Sequence, residues 1–152
     1  MIIDFDNRSF KAHKSLGFPI EQSSYNNILQ LCMIVKDCEI SIKKTLETYK
    51  PVISYWCIVD TLSSDNTREI IKETMKDIPG ILYISKFTGF SPTRNLALDL
   101  IGTKCIFTIM PDDTYELHGS DKLLKLLEIV SEKYKDDSVL SIKIIGEDCS
   151  YF

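Results

Sequence analysis

The sequence predicts an α/β domain with a mostly parallel β-sheet flanked by helices, and three observations lead to that class. Short apolar runs rich in Ile, Val, Phe and Cys recur along the chain, segments with helical spacing of apolar residues separate them, and Pro or Gly marks several boundaries. Alternating strands and helices are typical of domains in which helices cover a parallel sheet. Right-handed crossovers in such a sheet bring the carboxyl ends of all strands to one edge.

Five apolar runs are predicted to be strands: Leu31–Val35, Tyr55–Val59, Ile81–Ile84, Cys105–Met110 and Val139–Ile145. The first four are nearly continuous apolar stretches, which is typical of strands buried on both faces. The fifth alternates between apolar and polar residues. It is therefore predicted to be an edge strand.

Four helices are predicted from apolar residues at helical spacing. These stripes are Ile42, Leu46 and Tyr49; Ile70, Ile71 and Met75; Leu96, Leu100 and Ile101; and Leu123, Leu127 and Val130. Asn66 and Glu69 have the spacing of a capping box at the start of the second helix. Ser91 is the predicted N-cap of the third helix, with Pro92 at its first position. The fourth helix is expected to start at Ser120.

Length and composition fit one globular domain. The chain has 152 residues, of which 44% are hydrophobic and 26% charged, and its formal net charge is −4. The apolar fraction excludes a disordered chain, and the acidic balance argues against nucleic acid as a partner. No apolar run reaches the roughly 18 residues of a membrane-spanning helix. We expect residues 1–27 to form an N-terminal arm or extension and residues 28–152 to form the domain.

The cysteines predict a reducing compartment. Their number is odd, and they show neither a Cys-x-x-Cys motif nor paired metal-ligand spacing: Cys32, Cys38, Cys57, Cys105 and Cys149. Three of them lie inside apolar runs, where a reduced cysteine acts as a small core residue. Residues 1–10 also lack the plan of a signal peptide. A cytoplasmic protein is therefore expected.

Charged residues follow the predicted strands at the edge where open α/β sheets bind ligands. Two carboxylates at a strand end are hard oxygen ligands, suited to Mg²⁺ or Mn²⁺ held together with substrate phosphates. A guanidinium near a helix N-terminus can meet an anion or pair with a carboxylate. We expect these groups to converge on one site for a metal-bridged nucleoside diphosphate: Lys36, Asp37, Asp60, Arg94, Asp112 and Asp113.

Structural roles are the alternatives for the same residues. Consecutive aspartates such as Asp112 and Asp113 are common in polar turns, and Arg94 could equally form a structural ion pair. In extended backbone, neighbouring side chains point to opposite faces. We therefore expect only one of the two aspartates to bind a metal directly.

Two stretches resemble family 2 glycosyltransferases. The segment IVDTLSSDNT is similar to the family element I-V-D-x-x-S-x-D-x-T, and PTRNLAL is similar to its A-R-N-x-A-x helix start. The resemblance covers roughly residues 29–114. It implies the Rossmann-like GT-A fold, represented by the N-terminal nucleotide-sugar-binding half without the full acceptor-side half.

The resemblance also implies a nucleotide-sugar donor, most often a UDP-sugar. Val35 and Lys36 stand where the family has a pair of residues touching the nucleoside, and Asp37 takes the place of the following asparagine. Asp60 matches the aspartate that recognises the base. These four residues are the implied nucleoside contacts.

A divalent metal, Mn²⁺ or Mg²⁺, is implied in the same way. Arg94 matches the family arginine near the diphosphate, Asp112 matches the last aspartate of the D-x-D metal motif, and Asp113 its following acidic residue. Met110 replaces the first aspartate of that motif. Asp112 is thus a predicted contact of both the nucleotide sugar and the metal, and Asp113 a predicted metal ligand.

We therefore expect an inverting, metal-assisted glycosyltransferase that passes a sugar to a hydroxyl of a glycan, protein or lipid, with homo-oligomerisation left open. No catalytic base is identified, because Glu147 and Asp148 follow Asp112 too closely for a comfortable match. The alternative is a non-catalytic nucleotide-binding or scaffold module that keeps the fold. A nucleotidyltransferase is disfavoured, because residues 36–39 after the first strand contain no glycine.

Overall fold

The computed structural model describes residues 28–133, in which four strands alternate with helices. The strands are β1 (Leu29–Val35), β2 (Tyr55–Asp60), β3 (Gly80–Ile84) and β4 (Phe107–Ile109). The helices are α1 (Ile42–Tyr49), α2 (Thr67–Met75), α3 (Phe90–Ile101) and α4 (Ser120–Lys133). None of these helices combines the length and the apolar composition needed to cross a membrane.

The strands form one parallel sheet in the order β3-β2-β1-β4. The chain builds outwards from β1 to β3 and then crosses back to place β4 on the other side of β1. The strand order therefore reverses between β1 and β4. The predicted α/β class with a parallel sheet is confirmed. The predicted strand Val139–Ile145 and the arm at residues 1–27 lie outside the described residues.

Two apolar clusters cover the two faces of the sheet. Side chains of α1, α2 and α4 pack on one face, among them Ile42, Leu46, Ile71, Met75 and Leu127. The opposite face packs against α3 and includes Cys32, Cys57, Val59, Tyr83, Ala97 and Ile101. Successive residues of the central strands thus alternate between two buried layers, as their continuous apolar sequences predict.

The cysteines occupy the interior to different degrees. Cys32, Cys38 and Cys57 are buried, Cys105 is half-buried, and none of these four forms a disulfide. Burial raises the pKa of the Cys32 thiol to about 12 and that of the Cys38 thiol to about 11. These thiols stay protonated at neutral pH and act as small core side chains.

The fourth strand departs from its prediction. The run Cys105–Met110 was expected to be buried on both faces, but only Phe107–Ile109 form a strand, in which Thr108 is exposed. The reason is its pairing: β4 hydrogen-bonds to residues 29–31 of β1, and no other described strand borders it. The expectation of burial on both faces was wrong for this strand.

The third helix begins earlier than predicted. Gly89, not Ser91, is the N-cap, and Phe90 is the first helical residue. Gly89 has a φ of 118°, a backbone conformation that favours glycine, and its carbonyl accepts the backbone N–H of Thr93 at 3.1 Å. The hydroxyl of Thr93 donates to the same carbonyl at 2.7 Å. Pro92 therefore lies in the first turn of the helix. Because N–H groups in the first turn have no acceptor within the helix, the missing N–H of proline costs no helical hydrogen bond.

The second helix has its predicted N-cap but not the predicted capping box. Asn66 is the N-cap, yet its side chain makes no capping bond and donates to Glu39 at 3.0 Å. Asp65 accepts the backbone N–H of Thr67 instead, also at 3.0 Å. Glu69 lies 3.9 Å from Lys72. Two other carboxylates thus replace the capping box: that of Asp65, which precedes the N-cap, and that of Glu39 in the loop after β1.

Candidate functional site

The carboxyl-terminal half of β1 is open on the side facing β4. Because β4 pairs only with residues 29–31, residues 32–35 have no strand partner on that side within the described part of the chain. After β4 the chain runs on to Asp112 and Asp113, which face the end of β1 across a pocket. This is the point at which the strand order reverses, and open α/β sheets bind ligands at such points.

The pocket has a volume of about 290 Å³. Its walls come from the end of β1 and the residue after it, from the connections that follow β2, β3 and β4, and from the start of α3. The lining residues are Ile34, Val35, Lys36, Thr61, Phe87, Phe90, Asp112 and Asp113. Four of the seven predicted site residues therefore meet here: Val35, Lys36, Asp112 and Asp113. The other three, Asp37, Asp60 and Arg94, do not line it.

Asp113 is fixed by helix α1. The hydroxyl of Ser41, just before that helix, donates to Asp113 Oδ2 at 2.7 Å, and the hydroxyl of Thr45 donates to the Asp113 carbonyl oxygen at 2.5 Å. Asp112 is exposed, and its carboxylate makes no hydrogen bond within the described residues. The two neighbouring carboxylates thus differ: Asp113 is held by protein, and Asp112 is available to a ligand.

Lys36 supplies positive charge to the pocket. Its side chain is exposed, and it forms no ion pair with any residue in the described part of the chain. It lines the same pocket as Asp112 and Asp113. An unpaired ammonium beside an available carboxylate suits an anionic ligand that carries or recruits a cation.

Asp37 holds two loops together. Its backbone has a φ of 47°, and its N–H donates to the Ser63 hydroxyl at 2.9 Å. Its Oδ1 accepts the backbone N–H of Ser64 at 2.6 Å and the Ser64 hydroxyl at 3.2 Å. The carboxylate that was predicted to touch a nucleoside is therefore engaged by the loop after β2.

Further hydrogen bonds join residues 36–39 to residues 60–67, a pair of segments that we call the interlocked loops. The N–H of Cys38 donates to the Thr67 hydroxyl at 2.8 Å, and the N–H of Glu39 donates to Asp65 at 3.0 Å. Glu39 in turn accepts the backbone N–H of Asn66 at 3.0 Å. This reciprocal bonding fixes the loop after β1, and with it the backbone of Lys36.

Asp60 is completely buried at the end of β2. Its Oδ1 accepts the N–H of Ser63 at 3.0 Å, and the Nε of Arg68 lies 4.0 Å from the same oxygen. Its Oδ2 and the Arg68 Nε have no hydrogen-bond partner among the described residues. Arg68 also donates from Nη2 to the Ser63 carbonyl at 3.0 Å. The carboxylate organises the turn that follows β2.

Arg94 lies on the face of the sheet that α3 covers. It is exposed in the first turns of that helix and does not line the pocket. Burial raises the pKa of the Cys32 thiol, and the positive charge of Arg94 lowers it by a smaller amount. The charge of Arg94 therefore acts on Cys32, in the apolar cluster that α3 covers.

Sequence reasoning missed four pocket residues: Ile34, Thr61, Phe87 and Phe90. The two phenylalanine rings contact each other edge to face, with centroids 5.2 Å apart and an interplanar angle of 79°. Phe87 lies in the connection after β3 and Phe90 is the first residue of α3, and the sequence around them has neither strand nor helix periodicity. Two large aromatic residues between a strand and the next helix, at the binding edge of an α/β sheet, were the signal that could have identified Phe87 and Phe90.

The acidic pair fits a divalent cation only together with ligands from elsewhere. Within residues 28–133 no three His, Cys, Asp or Glu side chains are grouped so that they could hold a metal ion. Mg²⁺ commonly binds through one or two carboxylates and completes its coordination with substrate phosphates and water. Asp112 and the remaining oxygen of Asp113 fit that arrangement.

Comparison with known proteins identifies the fold. No protein-family model matches the sequence, and no curated protein matches it significantly. The crystal structure of S. aureus TarS 1-349 matches 69% of this chain with a TM-score of 0.59 and 17% identity. A structure of S. aureus TarS and one of TarS 1-349 in complex with UDP each match 69% with a TM-score of 0.54 and 18% identity.

The chain spans only part of these neighbours: 32% of each TarS 1-349 chain and 20% of the other TarS chain. TarS is a family 2 glycosyltransferase. At this level of identity the likeness concerns the fold alone. The described residues share the α/β fold of the part of these structures that they match.

Proposed function

We propose that this chain is the donor-binding part of a glycosyltransferase, which transfers a sugar from a nucleoside-diphosphate donor, a UDP-sugar foremost, to a hydroxyl acceptor with inversion. The observation that carries the proposal is the pocket where the strand order reverses, because it joins Lys36 to the available carboxylate of Asp112. The shared fold with TarS, which was crystallised with UDP, supports the same class of ligand.

Charge decides the proposed roles in donor binding. The ammonium of Lys36 offsets the negative charge of a diphosphate that enters the pocket. Asp112, with the remaining oxygen of Asp113, would hold Mn²⁺ or Mg²⁺ together with the phosphates. When bound, such a cation stabilises the charge that develops on the departing diphosphate. The acceptor hydroxyl attacks the anomeric carbon and must lose its proton to a base. We assign that base to no described residue.

Calorimetric titration of the protein with UDP and Mn²⁺ tests the proposal. We expect the wild type to bind UDP and the Asp112→Ala variant to lose at least tenfold in affinity when Mn²⁺ is present, a change of about 1.4 kcal/mol. Asp99→Ala is the matched control, because Asp99 is also an exposed aspartate but lies on α3 away from the pocket. The proposal fails if the wild type binds no nucleoside diphosphate, or if Asp112→Ala binds UDP and Mn²⁺ like the wild type.

A nucleotide-binding module without transfer activity is the second candidate. It is favoured by Met110, which stands where the resembling family has a first metal-binding aspartate. It is also favoured by the lack of any three-residue metal group within residues 28–133. UDP binding without donor hydrolysis or sugar transfer, over a panel of donor sugars and acceptors, would select this function.

A further inference from the structure

The β-sheet does not itself fix Asp112 and Asp113. Strand β4 ends at Ile109, whose register partner is Leu31, so strand pairing stops before the two aspartates. Asp112 is exposed and Asp113 is half-buried. Contacts from outside the sheet therefore determine where the two carboxylates lie.

One face of helix α1 and its N-cap supplies such contacts. Ser41, Thr45 and Thr48 recur at helical spacing and so lie on the same side of the helix. The Ser41 hydroxyl donates to Asp113 Oδ2 at 2.7 Å, and the Thr45 hydroxyl donates to the Asp113 carbonyl oxygen. The Thr48 hydroxyl oxygen accepts the backbone N–H of Leu117 at 2.9 Å. The segment from Asp113 to Leu117 is thus bound to α1 at both of its ends.

The two hydroxyls that hold Asp113 do so in place of the local bonds that their positions favour. Ser41 is the N-cap of α1, where serine usually accepts a backbone N–H of the first turn, yet its side chain makes no capping bond. The Cys38 carbonyl is also farther from the Ser41 hydroxyl, at 3.4 Å, than the Asp113 carboxylate is. A threonine inside a helix often donates to a carbonyl of the preceding turn, as Thr48 does to Thr45 at 2.7 Å. Thr45 donates instead to Asp113, 68 positions farther along the chain.

We propose that Ser41 and Thr45 are positioning residues for cation-assisted donor binding, because they fix Asp113 and leave its second carboxylate oxygen available. This inference rests on the proposed function, since it concerns the same pocket. Neither Ser41 nor Thr45 lines that pocket, so both act through Asp113. They therefore determine the part of the nucleotide affinity that depends on a divalent cation and have little influence on the rest.

Calorimetric titration with UDP, once with Mn²⁺ and once with EDTA, separates these two parts of the affinity. We expect Ser41→Ala to lose about fivefold in UDP affinity with Mn²⁺, as the loss of one hydrogen bond implies, and to bind UDP like the wild type in EDTA. Because the Ser41 side chain caps no N–H, the urea unfolding of this variant should stay close to that of the wild type. Ser41→Thr keeps a hydroxyl and should restore the affinity. Ser85→Ala is the matched control, because the Ser85 hydroxyl also donates to an oxygen, the Lys86 carbonyl, but Ser85 does not line the pocket.

A double-mutant cycle tests whether the serine acts through the carboxylate. On an Asp113→Ala background, Ser41→Ala should have no further effect on UDP binding with Mn²⁺. Thr45→Val tests the second hydroxyl, and Thr45→Ser should restore the affinity that it loses. Thr74→Val is the control for this pair, because Thr74 is also a buried threonine of a helix but makes none of the contacts to Asp113.

The inference is overturned if Ser41→Ala and Thr45→Val both bind UDP and Mn²⁺ like the wild type. It is also overturned if Ser41→Ala weakens UDP binding equally with Mn²⁺ and in EDTA, or keeps its full effect when Asp113 is alanine, since either result indicates a general structural role. Wild-type UDP binding that Mn²⁺ does not strengthen contradicts it too. In these cases the wild type still binds UDP and the proposed nucleotide site stands, whereas a wild type that binds no UDP contradicts both proposals.

Discussion

Leu62 adopts a left-handed backbone conformation, with a φ of 65°. This conformation costs residues other than glycine roughly 1–2 kcal/mol. The Leu62 side chain is half-exposed, so its burial offsets little of that cost. Its neighbours hold the turn in place, since the N–H groups of Thr61 and Ser63 donate to Val35 and Asp60. Asp37, the other such residue, is of a type that tolerates this conformation better.

We predict that Leu62→Asn stabilises the protein by about 0.5–1 kcal/mol, because asparagine enters the left-handed region more readily. Urea denaturation at constant m-value measures the change. Leu98→Asn serves as the control, because Leu98 is similarly exposed but lies inside α3, where asparagine is a poorer helix former. Equal destabilisation by both substitutions would show that the Leu62 side chain, not its backbone, determines the effect.

At the scale of the element, Gln30 anchors the chain that enters β4. Its amide donates to the Gly102 carbonyl at 2.7 Å and to the Thr108 hydroxyl at 2.8 Å. Its carbonyl oxygen accepts the backbone N–H groups of Lys104 and Cys105, at 3.1 and 3.0 Å. This buried side chain thus provides hydrogen-bond partners for backbone groups of a loop that lies outside the strands. It also helps to position β4 and, with it, Asp112 and Asp113.

We predict that Gln30→Leu destabilises the protein by about 2–4 kcal/mol, because it leaves several backbone groups without partners. Thermal and urea unfolding measure this loss. Thr108→Val removes only one of the four bonds and should cost about 1 kcal/mol or less. If Gln30→Leu costs no more than Thr108→Val, water replaces the lost bonds and the anchor is unimportant.

Gly80 is required by the tryptophan of the neighbouring strand. The two residues are register partners in β2 and β3, and a Cβ at position 80 would lie 2.3 Å from the Trp56 ring. The ring is fixed because its Nε1 donates to the Ile78 carbonyl at 2.8 Å. An added methyl group therefore meets a side chain that has little room to move.

We predict that Gly80→Ala costs about 1–3 kcal/mol of stability through overpacking. A double-mutant cycle with Trp56→Leu provides the control, because the smaller side chain leaves space for the methyl group. On that background Gly80→Ala should be nearly neutral. An equal cost on both backgrounds would locate the effect in the backbone of β3.

For the whole molecule, the buried thiols make stability fall at alkaline pH. The ordinary thiol pKa of 9.0 applies to the unfolded chain, whereas burial raises the pKa of Cys32 to about 12 and of Cys38 to about 11. Above pH 9 the unfolded state releases these protons and the folded state keeps them. Stability is therefore unaffected below pH 9 and decreases from pH 9 upwards, by about 1.4 kcal/mol per pH unit for each fully shifted thiol.

Urea unfolding under reducing conditions at pH 8, 9 and 10 measures this decrease. Cys32→Ala should have a flatter profile between pH 9 and 10 than the wild type, since one of the shifted groups is removed. A wild-type stability that is constant from pH 8 to pH 10 would contradict the prediction. Burial also raises the pKa of the buried phenol of Tyr49 and of the half-buried phenol of Tyr55, and both shifts act in the same direction at higher pH.

Local patterns in the sequence predicted most of the fold. The first three strands were found because their sequences are nearly continuous apolar runs, and the helices because their apolar residues repeat at helical spacing. The shared edge followed from parallel pairing. The predictions failed where distant groups intervene. The capping box at Asn66 is replaced by a bond to Glu39, and the strand at β4 is shortened because it pairs with only part of β1.

The candidate site was predicted in part for the same reason. Lys36 and Asp112 were found because each follows a strand, and in a parallel sheet the residues after neighbouring strands lie close together. The burial of Asp60 could not be read from the sequence, because it depends on how the loop folds around Ser63 and Arg68. Phe90 was missed because the contact between its ring, at the start of α3, and the ring of Phe87 leaves no periodic pattern in the sequence.

The interlocked loops have a consequence for amide hydrogen–deuterium exchange. Loop amides ordinarily exchange with solvent deuterons quickly, yet seven N–H groups in these two segments, those of residues 37–39, 63, 64, 66 and 67, donate to side-chain oxygens. Their uptake of deuterium should therefore be retarded toward that of the central strands. Mass spectrometry of peptic fragments should show slow labelling in the interlocked loops and faster labelling around Phe87. Rapid labelling in both places would mean that the two segments open independently.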